Sequence, residues 1–244
     1  MHPEENVCLI AISGGSGSGK STLADAIRTV LGPDVCVVLG EDNYYKSRKE
    51  NGIEGLSPPE IESIINFDHV SSKNMDMMRA DIAALKRGET IKQPVYDFAD
   101  HDRVEGEYEV IEPRRVTIVE GIHVLSDEDI AKEFDLKVYV DTPDDLRLAR
   151  RILRDTAPED QGGRGRSVER VISQYLHFVR PSHHLVTAPH KYSADLVIAD
   201  EGLLAFSTSI PTRRAVMRML APVQNWLEDH GIVKPSEFHA YPDD

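Results

Sequence analysis

Cysteine is nearly absent from this chain of 244 residues. The two that occur, Cys8 and Cys36, each sit in an apolar run. They read as small buried hydrophobes, not as a disulfide framework. That usage predicts a reducing compartment, the cytoplasm. Long apolar stretches are missing too. No run of 18 apolar residues occurs, so no membrane span is expected. Met1-His2-Pro3-Glu4-Glu5 is acidic and lacks the basic region that opens a signal peptide. Basic residues are the minority, 28 Lys and Arg against 42 Asp and Glu, for a formal net charge of -14. A general nucleic-acid binder needs a basic face, so that class is excluded. Internal repeats, low-complexity tracts and long linkers are also lacking. The length fits a single α/β domain that buries a sizeable core without disulfides.

The scarce positive charge is unevenly spread. Arg147, Arg150, Arg151, Arg154, Arg164, Arg166 and Arg170 fall within 24 residues. An arginine-rich segment in an acidic protein predicts an anionic ligand there.

Short apolar runs alternate with amphipathic stretches, the pattern of a mostly parallel sheet. Strands are expected at Val7–Ile12, Val35–Leu39, Val116–Val119, Leu136–Val140 and Leu196–Ile198. Their runs are near-continuous, as for strands covered on both faces. Helices are expected at Ser21–Leu31, Ser71–Lys86, Pro143–Arg154, Ser167–Thr187 and Thr212–His230. Leu31-Gly32-Pro33 stops the first of these. In the last, Val216, Leu220, Val223 and Leu227 share one face, and Pro222 predicts a kink or break. Residues 90–111 alternate loosely and read as an inserted β-hairpin. Residues 155–166 are polar and glycine-rich and read as a mobile lid. Residues 199–244 read as a C-terminal helical segment.

Gly14-Gly15-Ser16-Gly17-Ser18-Gly19-Lys20-Ser21 satisfies G-x-x-x-x-G-K-[ST] in full. An apolar strand precedes it, and Thr22 continues into a helix. Glycines let backbone N–H groups wrap phosphates closely, and the helix N-terminus adds partial positive charge. Lys20 is expected to reach the β- and γ-phosphates, and the Ser21 hydroxyl to ligate Mg²⁺. The motif predicts a bound nucleoside triphosphate without naming the acceptor.

Two acids follow strands. Asp42, in Glu41-Asp42-Asn43-Tyr44-Tyr45, is placed beyond a strand's carboxyl end, where open parallel sheets bind ligands. It is a candidate general base and metal neighbour. Glu120, after Val116-Thr117-Ile118-Val119, is a candidate magnesium-side carboxylate. His69 is read as structural. His183 and His184 point apart on a helix and do not form a metal site.

With these residues stand Asn66-Phe67-Asp68-His69, Pro94-Val95-Tyr96-Asp97-Phe98, His101, Glu120-Gly121-Ile122, Arg164-Gly165-Arg166, Gln174-Tyr175 and Lys191-Tyr192-Ser193-Ala194-Asp195. In this order, over roughly residues 7–198, the chain resembles the uridine–cytidine kinase family. The resemblance implies a P-loop three-layer fold and a kinase that phosphorylates the ribose 5′-hydroxyl of a pyrimidine nucleoside. It implies that Asp42 is the general base and that Asp68 holds the ribose hydroxyls with Arg151. Tyr96, Phe98 and His101 would form the base pocket, with Arg166 and Gln174 as further nucleoside contacts. Arg154 and Arg164 would approach the transferred phosphoryl group. A homotetramer and feedback inhibition by CTP or UTP are implied as well.

The chemistry agrees. A neutral nucleoside must be held by stacking and hydrogen bonds, which an aromatic pair with a histidine supplies. Arg147, Arg151 and Arg154 recur on one helix face, suited to spread charge on a phosphoryl group. Val70 stands where the family usually has proline, and the stretch from Arg154 to Arg164 is longer than in the animal enzymes. Ala199-Asp200-Glu201-Gly202 does not match the family's adenine border, so ATP and GTP both remain candidate donors. A phosphoribulokinase-like sugar-phosphate kinase and a non-catalytic nucleotide-binding regulator are the alternatives. The former needs cations where this chain offers aromatics.

Overall fold

The computed structural model describes residues 7–161, 163–200 and 213–242. Thr212, Glu201-Gly202 and the N-terminal Met1–Glu5 lie outside the described residues.

Five parallel strands form the central sheet: β1 (Cys8–Gly14), β2 (Cys36–Gly40), β5 (Val116–Gly121), β6 (Leu136–Asp141) and β7 (Leu196–Ala199). Their order is β2-β5-β1-β6-β7. Side chains alternate between the faces of a strand, so β1 feeds two cores. Cys8, Ile10 and Ile12 join one core with helices α1 (Lys20–Leu31) and α9 (Arg213–Asp229). Leu9 and Ala11 join the other, with Met78, Ile82 and Leu85 of α4 (Met75–Lys86). Helices on both faces make an α/β sandwich of three layers. Both cysteines are buried and free, and burial pushes each thiol up to about 12. Among the described residues no helix is long and apolar enough to cross a membrane.

Strands β3 (Ile91–Asp97) and β4 (Asp102–Ile111) pair as a separate antiparallel hairpin. It projects beside the carboxyl end of β2, where Gln93 donates to the Gly40 carbonyl at 2.8 Å.

Some helices differ from the sequence reading. The helix expected from Ser71 begins at Met75, because Asn74 caps it by accepting the Met77 N–H at 3.1 Å. Val70–Ser72 form a short 3-10 turn instead. Three helices lie in segments for which the sequence reading gave no element: α2 (Arg48–Asn51), α3 (Pro58–Ile64) and α5 (Glu128–Glu133). Each carries a local cap at Ser47, Ser57 or Asp127. These helices are too short to show a helical period.

Helix α6 (Asp144–Thr156) takes in the first two residues of the segment read as a lid, and α7 (Val168–Gln174) follows that segment. The latter runs on through π-helical turns and α8 (Arg180–Ser182) to Thr187. Pro222 does not break α9. Met219, Leu220 and Val223 are buried around it, and that packing offsets the ~3 kcal/mol cost of proline inside a helix.

Candidate active site

The phosphate loop lies over the start of α6. Gly17 and Gly19 adopt left-handed φ of 80° and 90°. A side chain at Gly15 would collide with the Arg147 guanidinium, and one at Gly17 would meet the Arg147 carbonyl at 2.6 Å. Gly17 is therefore required by contact as well as by conformation. The Ser18 carbonyl accepts from the Thr142 hydroxyl at 2.9 Å. Arg147 is buried and donates to the Thr142 carbonyl and to Asp144. It supports the loop from behind. This corrects the reading that put Arg147 with Arg151 and Arg154 on a phosphoryl-facing surface. Arg150 turns away as well and pairs with Asp200 at 2.7 Å.

One pocket opens beside this loop. Ser16 and Lys20 border it on the loop side, and Asp42 comes from the end of β2. Asp68, Tyr96, Phe98 and His101 line it too, with Arg151 and Arg154 of α6, Arg164 and Arg166 beyond that helix, and Gln174 of α7. The fold thus brings together every acceptor-side residue singled out in the sequence.

The end of α6 and the segment that follows it meet at a buried carboxylate. Asp155 lies 2.8 Å from Arg154, 3.4 Å from Arg151, 3.6 Å from Arg166 and 3.7 Å from Arg164. One acid thereby holds four arginines beside Lys20. Burial pushes Asp155 up, but the arginines outweigh that and keep it ionised. Arg164 is lowered to about 10 by burial and by the charge of Arg154. It also lies over the Phe98 ring, 5.3 Å from the centroid.

Two aromatics that sequence reasoning left without a role complete the wall. Tyr45 packs on Tyr96 at 5.1 Å between centroids, and Tyr96 packs edge-on to Phe98 at 5.3 Å. Phe67 stacks on His101 at 4.7 Å. Their neighbours in sequence, Asp42 and Asp68, were the available signal. Asn66 accepts the Asp68 N–H at 3.0 Å and so sets that turn. His69 caps the following turn by accepting from Ser71, a structural part.

A buried ion cluster that the sequence did not reveal supports Asp42. Lys73 is fully buried, pairs with Glu41, and donates to Asp42 Oδ1 at 3.0 Å. An isolated bridge between Tyr45 and Lys73 brings the lysine there. Glu41 also accepts the backbone N–H of His123 at 2.8 Å. Burial raises Glu41, but Lys73 and His123 bring it down to about 2. Asp42 is likewise raised by burial, then drawn far below the usual carboxylate range by Lys73 and Lys20. Its carboxylate is half exposed toward the pocket.

At the foot of the loop, Ser21 donates to Glu120 Oε1 at 3.0 Å, and Lys20 stands 3.8 Å from the same carboxylate. Glu120 Oε2 is buried without a hydrogen-bond partner. Burial raises Glu120, with Lys20 opposing. A hard cation would give that oxygen a partner, and the oxygen-only donor set of Ser21, Glu120 and Asp42 fits magnesium. Among the described residues no group of three His, Cys, Asp or Glu forms a self-sufficient cage. An ion here would therefore draw its remaining ligands from phosphate oxygens and water.

Comparison with known proteins places the chain in a family. Residues 9–203 match the model of the Phosphoribulokinase / Uridine kinase family. A uridine kinase of Brevibacillus brevis is 40% identical over 197 residues, 81% of this chain and 86% of that protein. A uridine kinase of Clostridium perfringens is 38% identical over 193 residues, 79% and 87% of the two chains. Among solved structures, phosphoribulokinase from Rhodobacter spheroides superposes with a TM-score of 0.57 at 17% identity, over 86% of this chain and 77% of that one. D-glycerate 3-kinase from Cryptococcus neoformans does so with a TM-score of 0.54 at 15% identity, over 80% and 86%. At those identities the superpositions speak to fold alone, whereas the family match and the sequence identities speak to descent: this chain belongs to the Phosphoribulokinase / Uridine kinase family.

Proposed function

We propose that this chain is a nucleoside kinase that transfers the γ-phosphoryl group of ATP, or GTP, to the 5′-hydroxyl of uridine or cytidine. The product would be UMP or CMP, in pyrimidine salvage. The observation that carries this reading is one pocket lined both by Lys20 and Asp42 and by Tyr96, Phe98 and His101.

Each group has a distinct task. The backbone of Gly14 to Gly19, with Lys20, Ser21 and Thr22, holds the triphosphate. Asp68 and Arg151 hold the ribose, and the aromatic wall takes the pyrimidine ring. Asp42 accepts the proton of the attacking hydroxyl. Its low proton affinity in this setting suits a loose transition state, in which the hydroxyl gives up its proton late. Until then Asp42 acts as an ionised acceptor that aims the hydroxyl at the phosphorus. Arg154 and Arg164, tethered through Asp155, offset charge on the equatorial oxygens. Magnesium, held by Ser21 and Glu120 with Asp42 nearby, would neutralise charge between the β- and γ-phosphates.

A lid that closes over the acceptor keeps water from competing for the phosphoryl group. The family resemblance supports a homotetramer, and the cysteine usage supports a cytoplasmic location. Neither a nucleic acid nor a membrane is required as a partner.

The test is a panel of nucleosides and sugar phosphates with ATP or GTP and Mg²⁺, following nucleotide consumption. Consumption should depend on added uridine or cytidine. Turnover that ignores the acceptor, or that requires a sugar phosphate, would refute the reading.

A further inference from the structure

His123 is completely buried, one residue beyond Ile122, which lines the pocket. It opens the turn after β5, which the Ser126 N–H closes by donating to the His123 carbonyl at 2.8 Å. The ring lies behind the site, between two segments far apart in sequence. Nε2 stands 3.0 Å from the backbone carbonyl of Asp68. A carbonyl only accepts, so Nε2 carries a proton and donates it. On the other side the His123 backbone N–H donates to Glu41 Oε2 at 2.8 Å, and Nδ1 lies 3.3 Å from Glu41 Oε1. Glu41 pairs with Lys73, which donates to Asp42 Oδ1 at 3.0 Å. One buried chain, Lys73–Glu41–His123, therefore runs from one pocket acid, Asp42, to the other, Asp68.

What this chain does for Asp68 follows from how that residue is held. Among the described residues its hydrogen bonds are made by the backbone alone. The N–H donates to Asn66 Oδ1 at 3.0 Å, and the carbonyl accepts from His123. The carboxylate thus sits where the turn puts it. Asn66 is tied to Ser182 at 3.1 Å, and the Tyr45 hydroxyl donates to the Phe67 carbonyl at 3.1 Å. Those contacts hold the approach to the turn. His123 holds Asp68 itself, and it does so from the end of β5, in the sheet that also carries Asp42. The ring is sealed from water, so this bond is not traded for one to solvent.

We propose that His123 is a positioning residue for the acceptor: by tying the Asp68 carbonyl to the buried Glu41–Lys73 pair it fixes the spacing of the two pocket acids, and so keeps the acceptor's sugar in line with the proton acceptor Asp42. This deepens the reading of a nucleoside kinase and rests on it. The ring does not line the pocket, so it acts through Asp68 and touches no substrate. A slackened Asp68 turn loses hold and alignment of the acceptor. The phosphate loop has supports of its own at Thr142 and Arg147, so the donor side keeps its geometry.

The experiment compares His123→Asn with His123→Gln in steady-state kinetics with ATP, Mg²⁺ and the better of uridine and cytidine. The glutamine amide extends to the place of Nε2 and can donate to the Asp68 carbonyl. The asparagine amide reaches only the place of Nδ1 and cannot. His123→Asn should raise the nucleoside KM at least about tenfold, with KM for ATP within about twofold of wild type. His123→Gln should recover most of that rise. A merely structural role would lower the folded fraction, and kcat with it, and would not separate two amides by their reach. In the wild type the Nε2 proton should appear by NMR as a slowly exchanging resonance. A ring proton in free exchange with water overturns the proposal even if neither variant folds. So do equal nucleoside KM values in the two folded variants. Should the wild type phosphorylate neither nucleoside, the proposed function itself fails and this inference falls with it.

Discussion

Lys73 Nζ donates to Asp42 Oδ1 at 3.0 Å from a position where none of the lysine side chain meets solvent. The same ammonium pairs with buried Glu41 and lies 4.5 Å from the centre of the Tyr45 ring. A buried cation between two carboxylates is costly to assemble and more costly to break. Its geometry leaves Asp42 Oδ2 for a ligand while Oδ1 is occupied, so the orientation of the carboxylate is set before any substrate arrives.

Removing the cation from that cluster should be felt in stability. Lys73→Met should destabilise the fold by about 3–5 kcal/mol, because it leaves Glu41 buried and unpaired. Adding Glu41→Gln should recover much of the loss. Denaturant unfolding of the two variants decides the matter: equal stabilities would mean that Glu41 does not need its cation.

Asp42→Asn keeps the size of the side chain and removes the base. Because Asp42 is assigned to the chemical step, kcat should fall by about 10²–10⁴-fold. ATP affinity, measured by titration calorimetry, should stay within a few-fold of wild type. A kcat near the wild-type value would take the proton-acceptor role away from Asp42.

Gly121 ends β5 directly against Glu41. A methyl group at Gly121 would lie 2.5 Å from Glu41 Cδ and closer still to its Cβ, too near for the buried side chain to stay. Gly121→Ala should therefore push Glu41 off Lys73 and lower both melting temperature and turnover. An alanine variant with wild-type stability would show that this contact relaxes at little cost.

Acid should weaken the fold through groups that shift in the same sense. Glu41 and Glu62, held at about 2 against an ordinary 4.5, stabilise the native state fully above pH 4.5. That contribution is lost as pH falls toward 2. His190, buried between Ser13 at 3.1 Å and Ser126 at 3.2 Å, is lowered to about 4 from 6.5, by burial and then by nearby His123. It is neutral in both states above pH 6.5, and charging it penalises the native state increasingly as pH falls through 6.5 to 4. Each such group contributes a slope of about 1.4 kcal/mol per pH unit in its own window. Melting temperature should thus decline steadily from pH 6.5 downward. A flat profile between pH 6.5 and 4 would contradict the assignment to His190.

What the chain settled locally was its donor side and much of its architecture. Gly14 to Ser21 between a strand and a helix, Asp42 at a strand end and the apolar runs of the sheet are all contiguous signals. Motif and periodicity report such neighbours directly. The hairpin was legible for the same reason, as was the helix face of Val216, Leu220, Val223 and Leu227. Tertiary structure decided how the arginines divide and what stands behind the site. Arg147 and Arg151 are four residues apart, yet one supports the loop and the other lines the pocket. Lys73 meets Asp42 across 31 residues, and Arg166 meets Glu62 across 104. No local pattern records such pairs, because each depends on two distant segments being packed to within hydrogen-bond reach. The phosphate loop could be read from a string of letters; the buried charges that orient Asp42 became visible only once the chain was folded around them.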